Sequence, residues 1–175
     1  NAAVTQSGSG DFNSTTTNIA AGATYTQTAG IGALNSTNIE LGSGSTLTLR
    51  NQGSGAIDGD VAGNGAVIFS GNYSTDSALG ATNSLASVTV NVGQTLTLDE
   101  DVDATTFTNN GTVNQSANTL TVTNLNIGAN DTYNLSGTAD VNSTTTNIGT
   151  NAAVTQSGSG DFNSTTTNIA AGATY

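Results

Sequence analysis

The chain has 175 residues, of which 34% are hydrophobic, 5% aromatic and 7% charged, and its formal net charge is −11. Arg50 is the single basic residue, which excludes the cationic clusters that bind nucleic acid or anionic lipid. The absence of Cys excludes disulfides and thiolate metal sites. The abundance of Thr, Asn, Ser and Gly favours short strands joined by tight corners.

The chain begins with a segment that occurs twice. Residues 1–25 and 151–175 have identical sequences, offset by 150 residues, which indicates tandem duplication. We therefore interpret residues 1–150 as one repeat unit and residues 151–175 as the start of the next identical unit, with no separate domain. The start at Asn1 rather than Met predicts an excerpt from a longer array. No apolar run is long enough for a membrane helix, so no membrane insertion is expected in this segment.

A finer period lies within the unit. Apolar residues recur in triplets, with the second member seven residues after the first and the third six residues later. The triplets are Phe12, Ile19, Tyr25; Leu34, Leu41, Leu47; Leu85, Val92, Leu98; Leu120, Ile127, Tyr133; Val141, Ile148, Val154; and Phe162, Ile169, Tyr175. Their spacing predicts about 21–22 residues per turn and about seven turns per 150-residue repeat.

Between Gly-containing corners the residues alternate with a period of two, as in residues 95–98, which is typical of strands with one apolar face. One turn has only five or six apolar side chains, so turns must stack to bury a core. The predicted fold is all-β, a right-handed parallel β-helix (β-solenoid) that rises ~34 Å per unit. The alternative is an antiparallel sandwich, which predicts hairpins and no period of ~21 residues.

Two segments depart from the period. Residues 57–86 exceed one turn, and residues 71–80 within them are interpreted as a protruding loop or as two short turns. Residues 99–119 form a shortened turn, with Phe107 and Val113 predicted to point inward. Outward ladders of Thr and Asn, such as residues 15–18, are expected to add hydrogen bonds between turns.

Residues 88–98 and 125–135 resemble the coils of autotransporter passengers and filamentous-haemagglutinin-type adhesins. The resemblance lies in composition and spacing and spans nearly the whole chain. It implies a right-handed β-helix secreted by Gram-negative bacteria, and hence an extracellular or cell-surface location. The expected partners are further copies of the same unit along a filament, and a host or surface receptor or glycan.

Acidic residues offer the best candidate site. Asp99, Glu100, Asp101 and Asp103 carry hard oxygen ligands of the kind that suits calcium, but they fit no EF-hand or calcium-binding β-roll motif. The alternative is a solvated acidic loop, and no cofactor is expected. Catalysis is not expected either, because the chain has no His or Lys and a single Arg to serve acid–base chemistry.

The sequence therefore predicts a structural, non-catalytic repeat of a bacterial surface filament or adhesin stalk. A second hypothesis is a binding module in which side loops, residues 72–81 above all, contact a receptor or glycan. Ice binding is a third hypothesis, but it needs a regular Thr-x-Thr ladder, and the Thr residues at 15–17 and 46–48 differ in register. Several Asn-x-Ser/Thr sequons, such as those at Asn72 and Asn130, are also possible glycan acceptors.

Overall fold

The computed structural model describes residues 2–28, 32–50, 56–59 and 65–175, with residues 56–59 as backbone only. This part of the chain is all-β and contains seventeen strands. They are β1 (Ala3–Gln6), β2 (Phe12–Ile19), β3 (Thr24–Gln27), β4 (Leu34–Leu41), β5 (Thr46–Leu49), β6 (Ala56–Gly59), β7 (Ala66–Phe69), β8 (Tyr73–Ser74), β9 (Leu85–Val90), β10 (Thr95–Leu98), β11 (Val102–Asn109), β12 (Thr112–Gln115), β13 (Thr119–Ile127), β14 (Thr132–Leu135), β15 (Asp140–Ile148), β16 (Ala153–Gln156) and β17 (Phe162–Ile169).

The strands stack in parallel as a β-solenoid. Odd-numbered strands form one sheet of nine, while β8, β10, β12, β14 and β16 form a sheet of five and β2, β4 and β6 a sheet of three. Stacked partners lie 18 residues apart at Phe107 and Leu125, and 22 apart at Tyr25 and Leu47. The predicted solenoid of about seven turns per unit is confirmed, and the antiparallel sandwich is wrong. The right-handed sense of the coil stays a prediction.

Each regular turn has three straight sides, because its longer strand bends. In β11 the inward residues are Val102, Ala104, Phe107 and Asn109, so the alternation slips by one residue at Thr105. The pairing of β11 with β13 omits Thr105 as well. Each long strand therefore has a first segment before the bend and a second segment after it, and the short strand of four residues forms the third side.

Hydrogen bonds within the run Asn-Ser-Thr-Thr-Thr-Asn fix the bend. Ser14 donates to the carbonyl of Thr16 at 2.7 Å, and Ser164 repeats this bond with Thr166 at 2.8 Å. The residue after the bend then points inward, and Thr17 stacks on Ile39. The prediction that residues 15–18 form an outward ladder is thus wrong at Thr17, because two successive outward residues at the bend reverse the alternation.

Six inward positions per turn build the core: two on the short strand and four on the long one. The largest fully buried side chains are Tyr133, Phe69 and Phe107, and each such side chain stabilises the fold by about 1.5–3 kcal/mol relative to exposure. The predicted inward positions of Phe107 and Val113 in the shortened turn are confirmed. In the part of the chain that the structure describes, the buried side chains form one narrow column along the stacked turns.

Not every predicted inward residue is buried. Val92 is 81% exposed, because Leu85 pairs with Ala104 and so occupies the second of the four long-strand inward positions, while Val90 occupies the last. A count of seven from Leu85 therefore overshoots into the corner. Phe12, Ile169 and Tyr175 are exposed for a different reason. They lie on the terminal turns, where one side of each residue has no covering turn among the described residues.

The corner after the long strand requires a left-handed backbone. In six corners the third residue beyond the last inward position has φ between 56° and 74°, a region that Gly and Asn tolerate best. The residues at this position are Gly22, Gly44, Gly93, Asn130, Asn151 and Gly172. At the opposite corner, a Cβ on Gly160 would collide with the carbonyl oxygen of Ala139 in the turn below. Glycine therefore serves two purposes at the corners, a positive φ at one and a close approach between turns at the other.

Residues 71–80 do not protrude as a whole. Tyr73, Thr75 and Leu79 are buried, β8 stacks on β10, and Leu79 pairs with Val102. Only residues 80–84 form an insertion, at a place where other turns have a single residue between the first and second inward positions of the long strand. Within the longer segment 57–86, residues 60–64 lie outside the described residues.

Ile127 and Thr121 test the inward and outward assignment on one strand. Ile127 is buried and Thr121 is exposed, as the sequence predicts. We expect Ile127→Asp to lower the free energy of unfolding by at least about 3 kcal/mol, because it places an unpaired charge in the core. Thr121→Asp should change it by less than about 0.5 kcal/mol. Equal effects in denaturant titrations would contradict the register.

Ser45 offers a stabilising substitution. Its hydroxyl is buried without a hydrogen-bond partner, and the same corner position holds Ala23 and Ala152 in other turns. We expect Ser45→Ala to raise the free energy of unfolding by about 1 kcal/mol, since it removes an unsatisfied polar group. Ser70→Ala is the control and should lower it by about 0.5–1.5 kcal/mol, because Ser70 donates to the carbonyl of Leu49 at 3.1 Å. Destabilisation by both substitutions would show that the Ser45 hydroxyl has a partner.

Candidate functional site

The two ends of the coil expose apolar side chains. At the N-terminal end, β1 and β2 leave Val4 and Phe12 exposed. At the C-terminal end, β17 and residues 173–175 leave Ile169 and Tyr175 exposed. β1 and β17 are also the outermost strands of the nine-stranded sheet, so each has one edge without a strand neighbour among the described strands. Edges of this kind are templates for adding a strand.

The repeated segment shows how a neighbouring turn changes the burial of identical residues. Val4 is 52% exposed in the first copy, whereas its counterpart Val154 is 4% exposed because β14 covers β16. Conversely, Ile19 is 6% exposed under β4, whereas its counterpart Ile169 is 54% exposed. The sequence is the same in both copies, so the difference in burial comes from the neighbouring turn alone. The apolar side chains at the two ends are thus ones that a neighbouring turn buries elsewhere in the coil.

Outward Asn ladders join successive turns along the sides. Asn168 donates to Asn147, and Asn147 donates to Asn126, both at 2.8 Å. Asn134 donates to Asn114 at 2.9 Å on another side. These amides use part of their hydrogen-bonding capacity on one another, and each ladder can be extended by a further turn.

Among the described residues, buried side-chain polar atoms other than the Ser45 hydroxyl have hydrogen-bond partners. The hydroxyl of Tyr133 donates to Oε1 of Gln115 at 2.6 Å, and Nε2 of Gln115 donates to the carbonyl of Asp140 at 2.9 Å. Tyr25 donates to Gln6 in the same way at 2.7 Å. Burial raises the pKa of both tyrosines, which keeps their hydroxyls protonated as donors. The arrangement satisfies polar atoms at the corner and is typical of structure rather than of a reactive centre.

One carboxylate has a shifted pKa. Asp131 lies in the corner before β14, beside Gly128, and partial burial raises its pKa. The equivalent corner position holds Ala23 and Ala152 in other turns, so the shift follows from placing a carboxylate where most turns have a small side chain.

The acidic candidates do not converge. Asp99, Glu100, Asp101 and Asp103 are all exposed. Asp99 accepts a hydrogen bond from Ser74 in the turn below, while Asp101 accepts one from the backbone of Thr119 in the turn above, at 2.8 Å. In the part of the chain that the structure describes, no three His, Cys, Asp or Glu residues are grouped so that they could hold a metal ion.

The Thr ladder required for ice binding is short. Thr24 stacks on Thr46, and Thr26 stacks on Thr48, so two successive turns share a Thr-x-Thr pattern. The next turn on this side has Ala66 and Ile68 at these positions. The side therefore lacks the regular array that the ice-binding hypothesis requires.

Comparisons add no relative. No protein-family model, no curated protein and no solved structure matches the chain. Among the described residues, no helix has the length and apolar character needed to span a membrane.

Calcium removal tests the acidic segment. We expect chelation to leave the melting temperature unchanged, because Asp99 and Asp101 bond to different turns and share no ligand position. The measurement is thermal unfolding in chelator, with and without calcium added back, on the native chain and on Asp103→Asn. A large fall on chelation that calcium reverses would show that the segment is a metal site.

Proposed function

We propose that this chain is a structural, non-catalytic repeat of an extracellular or cell-surface bacterial filament or adhesin stalk. The observation that carries the proposal is the complementary burial of the two copies of the repeated segment. The side chains of Val4 and Ile169 are exposed at the two ends of the coil. Their counterparts in the other copy, Val154 and Ile19, are buried by a neighbouring turn. A coil built in this way extends by adding units, and its length is set by their number.

The composition supports the same role. Thirteen charged side chains, twelve of them acidic, give a long object that repels its neighbours and stays dispersed. The polar groups of the core, such as those of Tyr133 and Gln115, bond to one another or to the backbone. With no His or Lys in the sequence, the chain offers little acid–base chemistry for catalysis.

Location and partners follow from the resemblance to autotransporter and haemagglutinin-type coils. It favours export from a Gram-negative bacterium and exposure at the cell surface. The partners proposed are further copies of the unit, with a surface receptor or glycan as an additional ligand.

A binding role for a side loop is the second candidate. Residues 80–84 stand out from the coil where other turns have one residue, and Ala81 and Thr82 are exposed. The two roles are separable by replacing residues 80–84 with a single Asn. Loss of attachment to host cells or glycan arrays, with the rod intact, would favour the binding role.

Length per unit tests the structural role. We expect tandem arrays of two, four and eight units to form rods that grow by ~34 Å per unit at constant width, since each unit has about seven turns and stacked strands lie ~4.8 Å apart. Electron microscopy measures both dimensions. The matched control is the same array with Ile127→Asp in every unit, which should lose the rod shape. Particles that widen instead of lengthening would contradict the structural role.

A further inference from the structure

The two copies of the repeated segment lie on different sides of the coil. β1 and β16 have the same sequence, yet β1 belongs to the nine-stranded sheet and β16 to the five-stranded sheet. Val4 stacks on Tyr25 in the first sheet, whereas Val154 stacks on Tyr133 in the second. The second copy is therefore rotated about the axis of the coil relative to the first.

The size of the rotation follows from the order in which the chain visits the three sides. Side A is defined by the short strands β1, β3, β5 and β7, followed by the second segments of β9, β11, β13, β15 and β17. The chain reaches side B next. Side B contains the short strands β8, β10, β12, β14 and β16. Side C completes the turn and contains Leu79 and the first segments of β11 to β17.

β7 is the point of changeover. Its residue Ile68 pairs with Thr48 of the short strand β5 on one edge, and with Thr89 of a second segment on the other. Up to β7 the short strands lie on side A, and after β7 the short strands lie on side B. A coil without a changeover would stack Ile68 in line with the other short strands, opposite Thr97 of β10.

The unit is therefore not a whole number of turns. Seven turns along side A lead from β1 to the second segment of β15, with the last step pairing Leu125 with Thr146. The chain then passes one more corner to reach β16, the counterpart of β1, on side B. Each 150-residue unit thus contributes seven turns plus one side.

We propose that every further copy of the unit is displaced by one side relative to the copy before it, so that the surface pattern of the rod recurs only after three units. The inference rests on the proposed function, since it requires a continuous coil of tandem units. Each exposed end of the coil is covered by a further copy of this unit. The displacement by one side is the one at which first segments stack on first segments and short strands on short strands. Residues 162–164 present the first segment of β17 on side C, and the first segment of the next turn of the second unit follows on that side, as Leu34 follows Phe12 in the first unit.

The rotation has two physical consequences. A feature of the unit, such as the insertion at residues 80–84, is presented on each of the three sides in turn, at axial steps of ~35 Å. A bend caused by the irregular turn points in three directions in succession and cancels over three units. The array is then straight, and the insertions of successive units project from all three sides of the rod.

Cysteine cross-linking tests the changeover in the chain itself, which has no native Cys. We expect Ile68→Cys/Thr89→Cys to form a disulfide, because outward partners on adjacent strands lie ~4.8 Å apart, within the range that a disulfide spans. Thr108→Cys/Asn126→Cys is the control for a regular stacked pair. Ile68→Cys/Thr97→Cys should stay reduced. Cross-linking of the Ile68–Thr97 pair, or failure of the Ile68–Thr89 pair when the control forms, would overturn the inference.

Labelled arrays test the recurrence over three units. Thr121→Cys, on an exposed outward position, allows one gold label per unit in a six-unit array. Cryo-electron tomography should show labels on three sides in succession, with the first and fourth aligned. Labels along one side of a rod would overturn the rotation and leave the proposed function standing. Compact particles without a rod would overturn the proposed function and the inference with it.

Discussion

The structure depends on pairing each turn with the turns before and after it. One turn has six inward positions and two strands, too few to bury a core or to satisfy its own backbone. The repeated segment isolates this dependence, since identical residues are buried or exposed according to their neighbour. Tyr25 is 4% exposed under β5, while Tyr175 is 61% exposed at the end of the coil. Stability is then a sum over interfaces between turns, and the function proposed follows from adding interfaces.

The chain closes each turn at its corners and bends, and hydrogen bonds from polar side chains stabilise several of them. Asn109 is fully buried, donates to the carbonyl of Thr132 at 2.8 Å and accepts from the amide of Gly111 at 2.9 Å. Those two bonds replace the left-handed residue of the longer corners. Thr146 is buried beside Ser143 at 2.8 Å, which closes the bend in β15. A narrow core tolerates such groups because each one reaches backbone or a second side chain within one turn.

Much of the fold could be predicted from the sequence, because the spacing of apolar residues reports the turn directly. Leu120, Ile127 and Tyr133 are buried as their period predicts. The failures have physical causes. The insertion at residues 80–84 places Leu85 at the second inward position of its long side instead of the first, so the count of seven ends at Val92 in the corner. Asn109 is a polar residue at an inward position. The changeover at β7 could not be predicted, since a four-residue strand such as Ala66–Phe69 is compatible with a short strand and with a second segment. For the acidic candidates, the sequence showed ligand types but not that neighbouring turns hold them apart.

Backbone nuclear Overhauser effects in an isotopically labelled sample test the stacked parallel turns most directly. The account predicts contacts between residues 21 apart throughout β13 and β15, such as Asn126 with Asn147 and Ile127 with Ile148, with both members advancing together. Contacts in which one residue number rises as the other falls, as in a hairpin between β13 and β14, would contradict it.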